Sequence, residues 1–379
     1  MNWPRRTRNA LGILVRRQFE VSWQMPKAVD LVIWDEVGSQ FLLDAIEPES
    51  YYILKTRNNS IFLHPLIVWE TLVSALTKRN THHGVVIKRC HPKTVVTFID
   101  NNPRFHKLAN RLPDIRFVAI QNGQRDAFPD ESQAIGPPAI YDSEYLCFSQ
   151  CEIDSYRSIG YKFKHINGMG SLKNALFVRH LHDSKRGINM SGKGDILLIS
   201  QYRKMNPEWE FDMSMTQYNT VLNVLRLYLE SHPGLQVSVA LACTPDQSDY
   251  EAERLFHQEH LGNLATLIPK SEDWMSAYYL TGQFSVVVAA SSTLGFETLA
   301  RGRKTLMCDV RLLRNFVDQA VTPDWILSRL DQETFDDACT KLFAMPLEDF
   351  VLRNRKSINY FMLSPHENSI TEFQRNIVG

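Results

Sequence analysis

Three hydroxyl side chains stand in a row where a predicted strand ends and a predicted helix begins. The apolar, valine-rich run Phe284–Ala290 is typical of a strand buried on both faces, and Ser291, Ser292 and Thr293 follow it directly. Helix-forming residues come next, so the hydroxyls lie beside the free N–H groups and the positive dipole end of a helix. Such donors suit phosphate or sugar oxygens, and the turn therefore predicts an anion-binding cradle. The alternative is that Ser291 serves only as the helix N-cap.

Polar turns also follow predicted strands in the first half of the chain. Asp35 and Glu36 come after one strand and Asp100 after another, and each of these carboxylates could act as a general base on a hydroxyl within hydrogen-bond reach. The amides on the same predicted edge are Asn101, Asn102, Gln121 and Asn122. Because the carboxyl ends of parallel strands lie on one edge of a sheet, these turns are expected to converge on one crevice. The alternative is that Asp and Asn act here as ordinary turn formers.

Two sheets are needed to position these turns. Strand and helix signals alternate through the first half of the chain, and they restart at Asp195 after a polar stretch that contains three glycines. This alternation predicts parallel sheets with helices on both faces, and hence an α/β fold with two Rossmann-like domains. The predicted units are an N-terminal domain, a linker, a C-terminal domain, and terminal helices that pack back on the first domain, at 1–175, 176–194, 195–345 and 346–379.

Two segments resemble a known family. The motif S-S-T-L-G-F-E-x-L-A-R-G-R-K over Ser291–Lys304, and the strand-and-turn pattern over Val95–Arg125, are similar to segments of bacterial surface-carbohydrate biosynthesis proteins. Those proteins in turn resemble glycosyltransferases of the GT-B fold, in which two Rossmann-like domains face each other across a cleft. The resemblance implies that the hydroxyl turn meets the phosphates of a nucleotide-sugar donor and that Glu297 lies on the helix lining the donor pocket. Gly295, between them, permits a close turn of the backbone.

The first strand of the second predicted domain ends in Ser200 and Gln201, with Arg203 two residues later. This arrangement is similar to the donor-facing first loop of GT-B enzymes. On that resemblance Arg203 or Lys204 would offset the charge of a departing diphosphate, the role that a metal ion has elsewhere. An exposed surface arginine is the alternative. The chain contains no Asp-x-Asp sequence, which argues against the metal-dependent type of transferase, so neither a metal ion nor a cofactor is expected.

Bulk composition excludes several other classes. The 42 basic and 42 acidic residues cancel, so no global field favours nucleic acid. Six scattered cysteines indicate reduced thiols and a cytoplasmic location, and neither a secretory signal nor a membrane-spanning run is evident. Five arginines around a short apolar stretch in Arg5–Arg17 could contact the inner membrane surface, with a solvated first helix as the alternative.

The sequence therefore predicts a metal-independent glycosyltransferase that moves a sugar from a nucleotide-activated donor to a growing surface glycan, such as an O-antigen or capsule. The acceptor, a glycan or a lipid-linked glycan, would enter over the first domain. Two rival hypotheses remain at this point: a transferase of glycerol phosphate from a CDP carrier, and a non-catalytic assembly protein that kept a nucleotide-binding fold. A sugar-nucleotide epimerase is a third, since its product forms without an acceptor.

Overall fold

The computed structural model describes residues 21–57, 61–77, 81–124, 139–184, 194–204, 213–312 and 322–378. Two parallel β-sheets form the framework. The first sheet contains β2 (Leu31–Trp34), β3 (Tyr51–Leu54), β5 (Thr94–Thr97), β6 (Arg116–Ile120), β7 (Ile140–Cys147) and β8 (Lys162–Gly168). The second contains β9 (Gly194–Ile199), β10 (Val237–Ala240), β11 (Thr266–Ile268), β12 (Phe284–Ala289) and β13 (Thr305–Met307). A small parallel pair is formed by β1 (Val21–Ser22) and β4 (Ile61–Phe62).

Strand order places a switch point in each sheet. The first sheet has the order β3-β2-β5-β6-β7-β8 and the second the order β11-β10-β9-β12-β13, with every pair parallel. The direction in which strands are added therefore reverses between β2 and β5 in the first sheet and between β9 and β12 in the second. Ligands of open α/β sheets bind at such points, outside the carboxyl ends of the strands.

Continuous apolar runs form these strands because both faces of each sheet are covered. In β2, Val32 and Trp34 join the core on one face, whereas Leu31 and Ile33 join the core on the other. All four side chains are at most 3% exposed, which explains why the run shows no alternation of apolar and polar residues. The predicted α/β architecture of two Rossmann-like sheets is confirmed.

Helices supply the covering layers. Those in the first half of the chain are α1 (Ser39–Ile46), α2 (Pro65–Leu76), α3 (His82–Cys90), α4 (Pro103–Ala109), α5 (Gln150–Ser158) and α6 (Leu172–Ser184). Those in the second half are α7 (Met213–Ser231), α8 (Tyr250–Leu261) with the 3₁₀ turn Gly262–Leu264, α9 (Met275–Thr281), α10 (Thr293–Ala300), α11 (Gln332–Ala344), α12 (Leu347–Phe361) and α13 (Ser369–Val378).

The end of the chain connects the two sheets. Phe350 and Phe361 of α12 belong to the core of the second sheet, and the α12 carbonyl of Tyr360 accepts from the Ser149 hydroxyl at 2.5 Å. Phe373 of α13 lies in a core cluster of the first sheet, beside Ile33. The last helix therefore packs on the first sheet, although the residue boundaries of the predicted domains stay a prediction.

Helix α6 covers a stretch that the sequence analysis assigned partly to the linker. Its apolar residues Leu172, Ala175 and Leu176 recur at helical spacing and are buried, and so is Phe177. Of the helices in the described part of the chain, none combines the length and apolarity needed to cross a bilayer. The arginine-rich stretch Arg5–Arg17 lies outside the described residues.

Candidate functional site

The hydroxyl turn lies at the switch point of the second sheet. Gln201 follows β9 and Ser291 follows β12, and their side chains join the two neighbouring strand ends. The side-chain oxygen of Gln201 accepts from the Ser291 backbone N–H at 2.7 Å, and the side-chain NH₂ of Gln201 donates to the Ser291 hydroxyl at 3.2 Å. Two hydrogen bonds to one amide hold the turn in a defined position. Because the Ser291 oxygen accepts in this pair, its own O–H proton remains to be donated.

The next two hydroxyls are also in position to donate. Ser292 is the N-cap of α10, but its side chain makes no capping hydrogen bond. Thr293 accepts from the backbone N–H of Gln124 at 2.8 Å, a contact that comes from the carboxyl end of β6 in the other sheet. The structure therefore places the turn between the carboxyl edges of the two sheets. Ser292, and not Ser291, is therefore the N-cap of α10, and its side chain takes no part in the capping.

Gly295 sets how closely α10 approaches the sheet. A Cβ at this position would lie 2.8 Å from the Cβ of Ala289 and 3.1 Å from the sulfur of Met307. These two residues belong to β12 and β13, so the absent side chain lets the helix rest directly on both strands. Gly295 therefore contributes to the site by positioning the first turn of α10, not by contacting a ligand.

Glu297 belongs to a buried junction between the two halves of the molecule. It is 3% exposed, and its carboxylate accepts from the Ser171 hydroxyl and from the Tyr278 hydroxyl, the latter at 2.7 Å. One turn later Arg301 donates to the side-chain oxygen of Asn174 at 2.5 Å, and burial lowers the pKa of this guanidinium to about 10. Through these partners the Glu297 carboxylate holds α10 against the start of α6. Both of its oxygens accept from the protein, so neither is left open to a nucleotide-sugar donor.

In the loop after β9, Ser200 is bonded within the protein whereas Arg203 is exposed. The Ser200 hydroxyl donates to the buried carboxylate of Glu253, which also accepts the N–H groups of Ala242 and Cys243 at 2.8 and 2.9 Å. Ser200 is therefore engaged in joining the ends of β9 and β10. Arg203 has an exposed side chain at the same edge, and its backbone N–H contacts the Met215 sulfur at 3.4 Å.

Two of the three candidate bases are engaged in structural contacts. Asp35 is 1% exposed, and one carboxylate oxygen accepts from Thr56 at 2.7 Å and from Arg57 at 2.9 Å. Asp100 is completely buried. Its oxygens accept from the Asn122 backbone N–H at 3.2 Å and from the Tyr145 hydroxyl at 2.6 Å. Neither carboxylate is presented to the crevice as an open base.

Glu36 differs from these two acids. One of its carboxylate oxygens is shielded from solvent and has no hydrogen-bond partner among the described residues. It is the second residue after β2, at the switch point of the first sheet. Phe41, near the start of α1, packs edge-to-face against Trp274, with 5.1 Å between the ring centroids. The helix that follows Glu36 therefore contacts the second half of the chain. Glu36 is therefore the candidate base with unused acceptor capacity.

The four candidate amides also separate by their contacts. Asn102 caps α4 by accepting from the Arg104 N–H at 3.0 Å, and Asn101 is exposed. Gln121 is 1% exposed and accepts from the Phe148 N–H at 2.9 Å. Asn122 is bound through its backbone to Asp100. Of this group, Gln121 is the most buried, and its amide N–H also donates to the Glu152 carboxylate at 3.3 Å.

Glu152 is a buried acid that the sequence analysis did not single out. It lies on α5, and burial raises the pKa of its carboxyl to about 7. Ser149 lies 3.0 Å from one Glu152 oxygen and 2.5 Å from the carbonyl oxygen of Tyr360, which can only accept. The hydroxyl can donate to either oxygen, so it connects the start of α5 with the end of α12. The Ser-x-x-Glu spacing, typical of a helix start, was the available signal.

Comparison with known proteins supplies a family and a fold. A family model described as "putative O-antigen biosynthesis protein" matches residues 118–370 of the chain. No curated protein matches the sequence.

Solved structures match over nearly the whole length. The UDP-GlcNAc 2-epimerase of Methanocaldococcus jannaschii, solved with UDP-GlcNAc and UDP, has a TM-score of 0.54 at 12% identity and covers 95% of this chain and 99% of its own. The enzyme of the same name from Neisseria meningitidis, bound to UDP-GlcNAc, has a TM-score of 0.53 at 12% identity, covering 95% and 100%. A Rickettsia africae glycosyltransferase has a TM-score of 0.50 at 10% identity, covering 96% and 98%. Identities this low show the fold alone, and the fold is of the GT-B type.

Proposed function

Because the chain belongs to the O-antigen biosynthesis family whose model it matches, we propose that it is a GT-B glycosyltransferase of surface-glycan assembly. It would transfer a sugar from a nucleotide-activated donor to a growing glycan, without a metal ion or cofactor. The observation that carries the proposal is the hydroxyl turn Ser291–Thr293. Ser291 and Thr293 accept hydrogen bonds from the protein and Ser292 makes no capping bond, so the three hydroxyl protons are left for a ligand. The turn lies at a switch point and faces the other sheet.

The donor that we propose is a nucleoside diphosphate sugar, with uridine as the first base to test. Two of the structurally similar proteins were solved with UDP-GlcNAc, and this supports the choice of probe. The diphosphate would accept from the three hydroxyls and from the free N–H groups in the first turn of α10. As the sugar–phosphate bond breaks, the negative charge that develops on the leaving diphosphate would meet the same donors, and Arg203 would add a positive charge.

We assign the general base to Glu36. It would take the proton of the acceptor hydroxyl that attacks the sugar, since one of its oxygens, although shielded from solvent, has no hydrogen-bond partner among the described residues. Asp35 and Asp100 would hold the surrounding loops.

Glu36→Gln should lower kcat by roughly a hundredfold or more with UDP affinity unchanged. The control is Glu49→Gln, which changes an exposed acid after α1 and should leave kcat unchanged. An unchanged kcat in Glu36→Gln would remove Glu36 from this role.

Calorimetric titration of the full-length protein with UDP tests the donor site. The double variant Ser292→Ala/Thr293→Ala removes two hydrogen-bond donors and should weaken UDP binding by about tenfold or more. Its free energy of unfolding should fall by no more than about 1 kcal/mol. Thr220→Ala is the matched control, because that hydroxyl is already used inside its own helix, where it donates to the Thr216 carbonyl at 3.0 Å. Equal UDP affinity in the double variant and the control would refute the cradle.

Product analysis separates transfer from the rival functions. Labelled UDP-sugars and CDP-glycerol would each be incubated with and without a glycan acceptor, and with EDTA. Acceptor-dependent sugar transfer that persists in EDTA supports the proposal. An epimerised sugar formed without acceptor would indicate an epimerase, glycerol phosphate transfer would indicate the CDP-carrier alternative, and nucleotide binding without product would indicate an assembly protein.

A further inference from the structure

Helix α2 is apolar over most of its surface, yet only Ile67 is buried among its residues. The exposed side chains recur at intervals of three and four, so they form one stripe. We call this stripe the α2 face, and its members, with their exposed fractions, are Leu66 (49%), Trp69 (65%), Leu72 (57%), Val73 (41%) and Leu76 (85%). Exposed apolar residues scattered singly are ordinary, but a contiguous stripe of five marks an interaction surface.

The β1–β4 pair brings a second tryptophan to the same end of the molecule. The register pairs Ser22 with Phe62, and the Leu63 N–H donates to the Ser22 carbonyl at 2.9 Å. Since Leu63 leads directly into α2, Trp23 lies beside the beginning of that helix, and its side chain is 65% exposed. Tryptophan is the side chain that favours the boundary between water and hydrocarbon at a membrane surface.

Charge around the α2 face is basic. The helix contains one charged residue, Glu70, which is paired with Arg89 of α3 at 3.0 Å between the guanidinium Nε and a carboxylate oxygen. A groove of about 390 Å³ runs between α2 and α3, and Lys88 and His91 line it together with Trp69 and Val73.

We propose that the α2 face is a docking surface for an anionic lipid bilayer. Trp69, Leu72 and Leu76 would enter the boundary between headgroups and acyl chains, while Lys88 and its basic neighbours would contact lipid phosphates. A second copy of the chain is a poorer occupant, because a two-fold contact centred on this face would bring the basic flanks of both copies together. The inference does not depend on sugar transfer.

Vesicle co-sedimentation of the full-length protein tests this surface. Vesicles of phosphatidylethanolamine with phosphatidylglycerol should bind the protein, and binding should weaken as salt is raised. Vesicles of phosphatidylcholine alone should bind it several-fold less. The double variant Trp69→Gln/Leu76→Gln should lose about tenfold or more in binding to the anionic vesicles, and Lys88→Glu should lose roughly fivefold. Both changes are on exposed side chains, and unchanged circular dichroism and melting temperature would show that the variants are folded.

Leu352→Gln is the matched control, since Leu352 is 77% exposed on α12. This variant should bind vesicles as the unmodified chain does. Failure of the unmodified chain to bind anionic vesicles, or equal loss in the control, would overturn the proposal. A dimer by light scattering that is lost in Trp69→Gln/Leu76→Gln, without vesicle binding, would also overturn it and assign the face to a second copy. UDP affinity in each variant is a separate readout, so loss of membrane binding can be told from failure of the donor site.

Discussion

Both sheets have polar residues at the carboxyl ends of their strands, but they use them differently. In the first sheet, Asp100 is fully buried and both of its carboxylate oxygens accept hydrogen bonds from the protein. In the second sheet, Ser292 caps α10 without using its hydroxyl, and Thr293 accepts while its own proton remains. The acid of the first sheet holds loops together, whereas the hydroxyls of the second can still donate.

The difference shows that a polar side chain can lie at the carboxyl end of a strand without being free to bind a ligand. A parallel sheet brings every strand end to one edge, so a polar residue there is near the crevice whatever its role. Whether it can bind a ligand depends on how many of its donors and acceptors the protein already uses. By that measure Glu36 and the hydroxyl turn Ser291–Thr293 are available, whereas Asp35, Asp100 and Glu297 are not.

The largest effect expected from this contrast is on folding stability. Asp100→Ala would leave the Asn122 N–H and the Tyr145 hydroxyl without their charged acceptor, and should lower the free energy of unfolding by about 3–5 kcal/mol. Urea denaturation measures it. Asn101→Ala, on the exposed neighbour, should change stability by less than about 0.5 kcal/mol. Equal stability in the two variants would mean that Asp100 is not the structural acid described above.

A comparable effect should follow from pH through Glu152. The pKa of this carboxyl is raised from 4.5 to about 7 by burial, so the folded protein holds the proton more tightly than the unfolded chain does. Its contribution to stability is therefore complete below pH 4.5 and is lost as the pH rises to about 7, an amount of about 3 kcal/mol.

Glu152→Gln tests the assignment, because glutamine has the shape of the neutral acid and does not titrate in this pH range. Urea denaturation across this pH range should show a flatter profile for the variant, with more stability retained at pH 7. A slope that matches the unmodified chain would show that another group titrates.

The smallest stability change is expected at the hydroxyl turn. Loss of a bonded N-cap side chain costs about 1 kcal/mol, but Ser292 makes no such bond, so Ser292→Ala should change the free energy of unfolding by less than about 0.5 kcal/mol. In the same variant the affinity for UDP should fall several-fold. A normal capping loss together with unchanged UDP binding would place Ser292 in the same class as Asp100.

Much of the fold could be predicted from local pattern. The apolar run Phe284–Ala290 predicts a strand that the structure has at Phe284–Ala289, and the helix predicted after the hydroxyls is α10. Apolar composition and helical spacing are local properties, so they show in the sequence. The helix α6 was partly assigned to a linker, because a polar surface stretch obscured the apolar spacing of Leu172 and Leu176.

The candidate site could be predicted in part. The position of Ser291–Thr293 beside the other sheet follows from strand ends in parallel sheets, and the structure shows the contact of Thr293 with Gln124. The raised pKa of Glu152 could not be predicted, since it results from burial in the packed chain. The roles of the site residues themselves stay predictions.

By itself the sequence determined the α/β class, the parallel sheets and the turns at which polar groups gather, because these depend on residues close together along the chain. Tertiary structure alone decided which of those groups remain open to a ligand. Hydrogen-bond capacity is shared out among residues distant in sequence, as Glu297 with Ser171 and Tyr278 shows. Only the packed chain shows which donors and acceptors are left.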